Sequence, residues 1–504
     1  FLNNAKVVDD QENFGIDGRI VAALSDATEL DVKARYAKLT GASINFNASF
    51  HLPNFAAVNP AFYEDVNTHP FRYYSNIRPT NRQETIEFSA RLSHEWDNLK
   101  LTAWALYSDV DQSLTADGTS ADFARYTFPG TNATSQAVSA QCFATTADLT
   151  GFPLNPPTFI GANPTPFIFD PVGGSTFGAY SPTTCDGTQL QVRQQKDFSA
   201  EVRIASTGDG PISWSLGAYY LNIKRTTGVS LGADLGQGVL PTLYNAPGSS
   251  NPTSQLFNDR FNTDVIAGFG SIDWSPDDRF NAGLALRYDI EDRRATNLVP
   301  IATDPFTGGP INPGQAGGPI PPQSAVFRQL QPKITLRYRA ADEATLFANW
   351  GVGFKSGGFN NQGSAAIVDN AFNDGVTPGT INAGVQINDL YRKERSSAFE
   401  AGLKGSILDG AITYDIAGYY TQVRDMQFFE FFVGGFGLLR VVSNIDRVDL
   451  WGGEANITVK PLDGWSIFAS GNFTESEIKR NSSRPDTVGN KSPYTADYTL
   501  NIGT

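Results

Sequence analysis

Seven short polar turns recur along the chain, and a long irregular segment follows each of them. The turns carry Asp, Asn, Gly or Pro, which adopt tight-turn geometry at little cost, and they lie at 25–27, 96–98, 208–210, 275–278, 341–343, 408–410 and 462–464. The long segments span 39–82, 110–193, 227–261, 293–326, 355–396, 425–446 and 478–494. An antiparallel up-and-down sheet, with tight turns at one end and long loops at the other, produces this alternation.

The stretches beside the turns alternate between apolar and polar residues with a period of two, as a two-faced strand requires. In one of them the apolar set is Ile86, Phe88, Ala90 and Leu92, and the polar set is Glu87, Ser89 and Arg91. Several stretches reach the ~9–11 residues that a tilted strand needs to cross a bilayer. The sequence therefore predicts an all-β transmembrane barrel: fourteen strands in seven hairpins and a fifteenth from about residue 497.

Composition excludes several other classes of protein. The net charge is −14 and the pI about 4.8, which argues against a nucleic-acid binder, since such a protein needs a basic patch. No apolar run approaches the ~18 residues of a transmembrane helix. The three histidines are scattered, and we find no metal-ligand spacing, nucleophile elbow, phosphate loop or acid pair. We therefore predict no enzyme activity, no metal site and no cofactor.

Several stretches resemble the barrel of TonB-dependent outer-membrane receptors. The most specific is Leu346–Asn360, LFANWGVGFKSGGFN, which is similar to a strand end and loop entry found about halfway along those barrels. Further similar stretches lie at 197–204 (DFSAEVRI), 214–220, 267–288, 397–404 and 418–427. Ala285 stands where the family often has Gly, and Lys393-Glu394-Arg395 stands where Pro-Glu-Thr is common. Residues 1–196 share the family's alternation of short turns and long segments more than its sequence motifs.

The resemblance implies a 22-stranded barrel with a plugged lumen, of which about 15 strands are present. Residues 1–504 would then be an incomplete barrel domain, and the N-terminal plug would lie outside this sequence. The implied location is the bacterial outer membrane, with long extracellular loops, short periplasmic turns, and outer-membrane lipid and lipopolysaccharide around the barrel. The implied function is active uptake of a scarce nutrient, most often a ferric siderophore, energised by an inner-membrane TonB complex through the plug.

Other functions remain open at this point. Within the same family, the cargo could be a saccharide or cobalamin. A passive porin-type channel would use the same kind of barrel without a plug. A soluble all-β binding protein would instead bury the apolar face of its strands against a second sheet.

Two groups of residues near the loop end are candidate ligand contacts. Lys355, Phe359 and Asn360 lie where a strand continues into an external loop. Two interpretations are open for them: contact with a ligand, or simple anchoring of the loop. The run QFFEFFVGGF contains Phe428, Phe429, Phe431 and Phe432. Two interpretations are open for these side chains: a surface that binds the ligand, or the outer aromatic girdle of the membrane interface.

The two cysteines of the chain, Cys142 and Cys185, both fall in the longest predicted loop. An even, low count of cysteines fits an oxidising compartment. A bond between them would staple a segment that has no core of its own. We predict a disulfide, with two free thiols as the alternative.

Overall fold

One large antiparallel sheet dominates the structure. The computed structural model describes residues 10–43, 65, 67–68, 79–117, 158–160, 163–165, 169–170, 174–175, 187–233, 240–249, 251–304, 308–360, 362–373, 386–434 and 437–504. Fifteen strands in these ranges pair antiparallel, each with the next along the chain. This arrangement confirms the predicted up-and-down meander and its strand number.

The strands of the sheet are β1 (Gln11–Ser25), β2 (Thr28–Gly41), β3 (Thr80–Glu95), β4 (Leu99–Asp117), β5 (Gly187–Ser206), β6 (Ile212–Ala233), β7 (Thr253–Trp274), β8 (Phe280–Asn297), β9 (Gln323–Ala341), β10 (Ala344–Lys355), β11 (Glu394–Ile407), β12 (Ile412–Gly434), β13 (Gly437–Leu462), β14 (Trp465–Arg480) and β15 (Tyr498–Gly503). Among the described residues, no helix has the length and apolar character needed to cross a membrane.

The connections alternate in length as predicted, with one exception. All seven short turns join the strands of a hairpin, five long segments join one hairpin to the next, and the last joins the seventh hairpin to β15. The sixth long segment, 425–446, was predicted wrongly: β12 and β13 remain paired through it, from Met426 opposite Ile445 to Gly434 opposite Gly437. The phenylalanines and valines of this stretch favour extended backbone, and its glycines mark a hairpin end, not a loop.

The two faces of the sheet differ as the alternation predicts. Phe88 is 54% exposed on the outer face, while its neighbour Ser89 is half-buried on the inner face. The same holds on β8, where Leu286 is 45% exposed and faces outward. Charged and amide side chains line the inner face and pair with one another, as Arg287 does with Asp289 at 2.8 Å. The outer wall is thus apolar and the lumen polar, the pattern of a barrel in lipid.

A row of aromatic side chains crosses the outer face toward the loop end of the sheet. In this outer aromatic row the residues stand directly opposite one another on β10 to β13, and they are Trp350, Phe399, Tyr420 and Trp451. Polar residues such as Gln422 follow immediately on the loop side. The row therefore occupies the position of an interfacial belt.

Loop segments fold over the loop end of the barrel. Within residues 356–393, a two-residue strand pair joins Gly358–Phe359 to Leu390–Tyr391, and α1 spans Ser364–Val368, followed by a π-helical turn at Asp369–Asn373. Shorter elements elsewhere are the pairs Thr158–Ile160 with Asn163–Thr165 and Phe169–Asp170 with Gly174–Ser175, and the 3-10 turns Pro313–Gln315 and Pro485–Thr487.

Candidate functional site

A cavity of about 650 Å³ opens inside the barrel near its loop end. Its walls come from β5 to β8, and its cover comes from segment 356–393 and from β13. The residues that give it its chemical character are Gln191, Arg225, Phe261, Arg293, Tyr391 and Arg440. A space of this size, walled by rigid strands and covered by loops, has the dimensions of a small-ligand site.

Arg225 of β6 is the most informative group in this cavity. Within the described part of the chain its side chain makes no hydrogen bond or ion pair, and its Nε is buried without a partner. Its guanidinium lies 5.2 Å from the ring centroid of Phe261, the residue opposite on β7. Since a guanidinium in a polar cavity favours an anionic partner, Arg225 offers an unused site for a carboxylate or a similar anion.

Two further arginines of the cavity are held in place by neighbours. Arg293 on β8 donates two hydrogen bonds to Glu291, at 2.9 and 3.1 Å. Arg440 on β13 stacks over the ring of Phe429, 5.2 Å from its centroid. Asp259 is the one carboxylate among the described lining residues, so this described lining is net cationic within a chain of net charge −14.

Of the predicted contact residues, Phe359 and Asn360 line the cavity. The amide of Asn360 is also a structural cross-link: its Nδ2 donates to the carbonyls of Asn388 and Val442, both at 2.8 Å. Its Oδ1 accepts the N–H of Val442 at 2.9 Å. Asn360 therefore caps the free edge of β13 and fastens segment 356–393 to the β12–β13 hairpin.

The same segment is fastened at α1. The carboxylate of Asp389 accepts the backbone N–H of Ala365 at 3.0 Å. Burial raises the pKa of Asp389, and the nearby Asp369 raises it further, while the Ala365 hydrogen bond opposes them. Val368 and Ile367 of α1 are buried against the hairpin. The cover of the cavity is thus a packed layer.

Lys355, the third residue of this predicted group, stands at the strand end and outside the cavity lining. Its Nζ lies 3.0 Å from the buried carboxylate of Glu394, which also accepts the backbone N–H of Gln427 at 2.8 Å. This ion pair ties β10, β11 and β12 together where the loop begins. Ligand contact by Lys355 stays a prediction.

Two glycines of the GFKSGGFN run permit the loop to pack closely. A Cβ on Gly357 would come closer than 3.0 Å to the Phe327 ring and to the carbonyl of Tyr391. A Cβ on Gly358 would come equally close to the Tyr391 hydroxyl. These close approaches are the physical reason for glycine at this loop entry.

The four predicted phenylalanines divide between the two sides of the β12–β13 hairpin. Phe432 is 7% exposed and packs in a cluster with α1 residues, and Phe428 packs against a second buried cluster. Phe429 and Phe431 contact each other on the opposite side, with ring centroids 5.5 Å apart, and Phe431 is 55% exposed. They lie near the cavity, and Phe429 supports one of its arginines.

All four lie well beyond the outer aromatic row. Phe428 is eight residues past Tyr420 along β12, or roughly 26 Å at the usual strand rise. The geometry therefore assigns the interfacial belt to the Tyr420 row, and it places the phenylalanine hairpin above that belt.

Cys142 and Cys185 lie outside the described residues. Among the described residues, no group of three or more His, Cys, Asp or Glu side chains is arranged to hold a metal ion. Sequence reasoning missed Arg225, Arg293, Tyr391 and Arg440. In the sequence each is an ordinary lumen or loop residue, and only the folded structure shows that they line one cavity.

We expect Asn360→Ala to loosen the cover of the cavity. The change removes three hydrogen bonds and leaves the N–H and C=O of Val442 without these partners, at a cost of about 1–3 kcal/mol. Hydrogen exchange at the Val442 amide should accelerate strongly. Asn388→Ala, which keeps the carbonyl that Asn360 uses, serves as the control. Unchanged protection at Val442 in the Asn360 variant would contradict the cross-link.

Known proteins share this fold and part of this sequence. The chain matches the family described as TonB dependent receptor-like, beta-barrel, over residues 25–504. Among solved structures it is similar to the siderophore receptor PiuA from Acinetobacter baumannii, with a TM-score of 0.59, 13% identity, and coverage of 99% of this chain and 63% of that one.

Two other solved structures have the same fold. The ferric yersiniabactin uptake receptor FyuA from Yersinia pestis gives a TM-score of 0.58 at 14% identity, covering 97% of this chain and 55% of that one. The ferric-catecholate import receptor Fiu from E. coli K12 gives 0.56 at 14% identity, covering 98% and 61%. The chain thus spans between about half and two thirds of the length of these receptors.

The fold and the family match together define the class of protein: this is an outer-membrane β-barrel. The chain belongs to the TonB-dependent receptor family, which is a family of receptors and not of enzymes. The long loops of such a barrel face the cell exterior and the short turns face the periplasm.

This orientation gives a direct topological prediction. A specific protease site inserted after Asn388, in the loop layer, should be cut in intact cells by protease added outside. The same site inserted after Asp409, in a short turn, should resist cleavage until the outer membrane is opened. The opposite result would invert the topology, and cleavage at both sites in intact cells would rule out a membrane barrel.

Proposed function

We propose that this protein takes up an anionic ferric chelate of the siderophore type across the outer membrane. In this proposal the chelate binds in the loop-end cavity, and an inner-membrane TonB complex supplies energy through an N-terminal plug domain. The cavity's arginines hold the acidic groups of the chelate, and its aromatic side chains contact the organic part.

The observation that carries this proposal is the unpaired Arg225 inside a net cationic cavity. Arg287 and Arg293 of the lumen wall have carboxylate partners, whereas the Nε of Arg225 is buried without a partner. A half-buried cationic group whose Nε has no partner is costly unless a ligand supplies the counter-charge. Ferric complexes of carboxylate or catecholate siderophores carry anionic groups that would supply it.

The relatives support the choice of cargo. PiuA is described as a siderophore receptor and FyuA as a ferric yersiniabactin uptake receptor. Another neighbour in fold is described as a copper transporter, so the fold alone allows other metals. The net positive charge of the cavity favours an anionic complex over a neutral saccharide.

Uptake into iron-starved cells tests the proposal. A strain lacking this protein, and the same strain complemented with it, are supplied with single ferric complexes as the iron source. We expect growth and ⁵⁵Fe accumulation from at least one anionic complex only in the complemented strain, and only with a functional TonB. Uptake that is independent of TonB would indicate a passive channel. TonB-dependent uptake of a saccharide or cobalamin, without any ferric complex, would overturn the assigned cargo.

We also propose that Cys142 and Cys185 form a disulfide in the whole protein. The motivation is their pairing in number and their position in one external loop. Mass spectrometry of non-reduced peptides should recover the two cysteines as one cross-linked species. Recovery of both as free, alkylated thiols would refute the bond.

A further inference from the structure

Four arginines stand side by side on the outer wall of the barrel. Arg395 on β11 is directly opposite Arg424 on β12, which is opposite Arg447 on β13, which is opposite Arg480 on β14. We call this set the arginine row. Four like charges in adjacent strands repel one another, so the arrangement calls for an anionic partner.

The arginine row faces away from the lumen. On β12, Arg424 is exposed while the preceding residue, Val423, is buried inside. On β13, Arg447 is half-exposed while the following residue, Val448, is fully buried. Arg424 also shares its face of β12 with Tyr420, four residues away, in the outer aromatic row.

That spacing sets the height of the arginine row in the membrane. Four strand residues span about 13 Å along the strand, and less in height because barrel strands tilt. The aromatic belt marks the membrane–water interface. The row therefore lies at the level of the lipid headgroups of the outer leaflet.

Two of the four charges have no carboxylate to balance them. Among the described residues, Arg395 makes no hydrogen bond or ion pair, and Arg424 reaches only the neutral Gln422, at 3.1 Å. Arg447 is held by Asp449 at 2.7 Å. Arg480 lies 3.7 Å from Asp446.

Elsewhere on the outer wall, some basic side chains toward the loop end are paired with acids, whereas Lys224, Arg260 and Arg328 are exposed and have no ion pair among the described residues. Lys38 on β2 pairs with Glu84 at 3.1 Å, and Lys196 on β5 pairs with Asp109 at 3.1 Å. What distinguishes β11 and β12 is that two arginines without carboxylate partners, Arg395 and Arg424, stand directly opposite each other.

An apolar groove of about 700 Å³ lies on the same wall, directly on the membrane side of the arginine row. Phe399, Tyr420, Trp451 and Phe473 rim it, and the small residues Ala401 and Gly418 form its floor. A Cβ placed on Gly418 would meet only the carbonyl of Gly452, at 3.8 Å, so the floor is open. This shape accommodates an extended hydrocarbon chain.

We propose that the arginine row and this groove together bind one phosphorylated lipid of the outer leaflet, of the lipid A type found in lipopolysaccharide. The phosphate groups contact Arg395 and Arg424, and an acyl chain lies in the groove between Phe399 and Trp451. Guanidinium pairs phosphate through two parallel hydrogen bonds. The vertical order of charge above and apolar surface below matches that of an anionic lipid in the membrane, whereas a soluble anion would leave the groove unused.

Native mass spectrometry of the full-length protein in detergent tests this site, with bisphosphorylated lipid A and its dephosphorylated form as probes. We expect the phosphorylated form to bind at least about tenfold more tightly, a difference equal to roughly 1.4 kcal/mol. The double variant Arg395→Gln, Arg424→Gln should lose this preference. The matched control Lys38→Gln, Lys196→Gln removes two outer-wall charges that already have partners, and it should keep the preference.

Filling the groove separates the two halves of the site. Gly418→Leu should weaken binding of both lipid forms several-fold while leaving the preference for phosphate intact. Heat-dependent gel mobility confirms that each variant is folded. The proposal is overturned if the Arg395/Arg424 variant keeps the full phosphate preference or if both double variants lose it equally. Displacement of lipid A by an equal concentration of inorganic phosphate would reassign the row as a simple anion site.

Discussion

Arginine at position 286 is expected to destabilise the barrel by about 2–4 kcal/mol, the cost of a cation on the lipid face near the bilayer midplane. Leu286 faces outward on β8, opposite Gly270 and Pro332. It lies six residues from the Phe280 end of the strand and six from the polar Asp292. The measurement is chemical denaturation of the full-length protein refolded into lipid vesicles.

The adjacent residue provides the control. Ala285 faces the lumen, opposite Lys333 on β9, where a further charge remains hydrated. Arginine at 285 should cost far less than arginine at 286. If the two variants lose the same free energy of unfolding, the assignment of the two faces is wrong, and with it the register of β8.

Arg225→Gln is expected to have the largest effect on ligand binding. Loss of this half-buried cation removes the counter-charge for the chelate's acidic group, which should weaken binding by about 2 kcal/mol or more, or roughly 30-fold. Equilibrium titration of the purified full-length protein measures this loss. The loss should be large for anionic ferric chelates and small for a neutral analogue of the same size.

A neighbouring arginine distinguishes a local contact from a general charge effect. Arg260 is exposed on the outer face of β7, opposite Thr226, so Arg260→Gln removes one positive charge at almost the same height. We expect this variant to bind the chelate as tightly as the wild-type protein. Equal losses in both variants would mean that overall charge, and not the cavity, governs affinity.

The barrel could be predicted from the sequence because its determinants are local. Asp and Gly at the turns and alternation within the strands act over a few residues, and so the hairpin at Asp409 was found from sequence. The hairpin end at Gly434 was mistaken for a loop because glycines are common in hairpin ends and in long loops alike. Only the pairing of Phe428 with Ser443 and of Phe432 with Leu439 reveals the extended strands.

The candidate site depended on information that is not local. Arg225 faces Phe261 across a register that the sequence does not encode in any single motif. The cover of the cavity rests on Asn360 and Val442, which lie 82 positions apart. The GFKSGGFN run did predict where a loop enters the site. Its glycines indicate close backbone packing, and the structure shows that such packing requires glycine at 357 and 358.

The position of iron in a ligand-bound crystal tests the central claim most directly. Crystals of the full-length protein with a transported ferric chelate, measured at the iron absorption edge, give an anomalous peak that locates the metal without assumptions about the ligand. We expect one strong peak inside the cavity bounded by Arg225, Tyr391 and Arg440, with an acidic group of the chelate on the Arg225 guanidinium. A peak outside the cavity, such as over the exposed ring of Phe431, with the cavity empty, would contradict it.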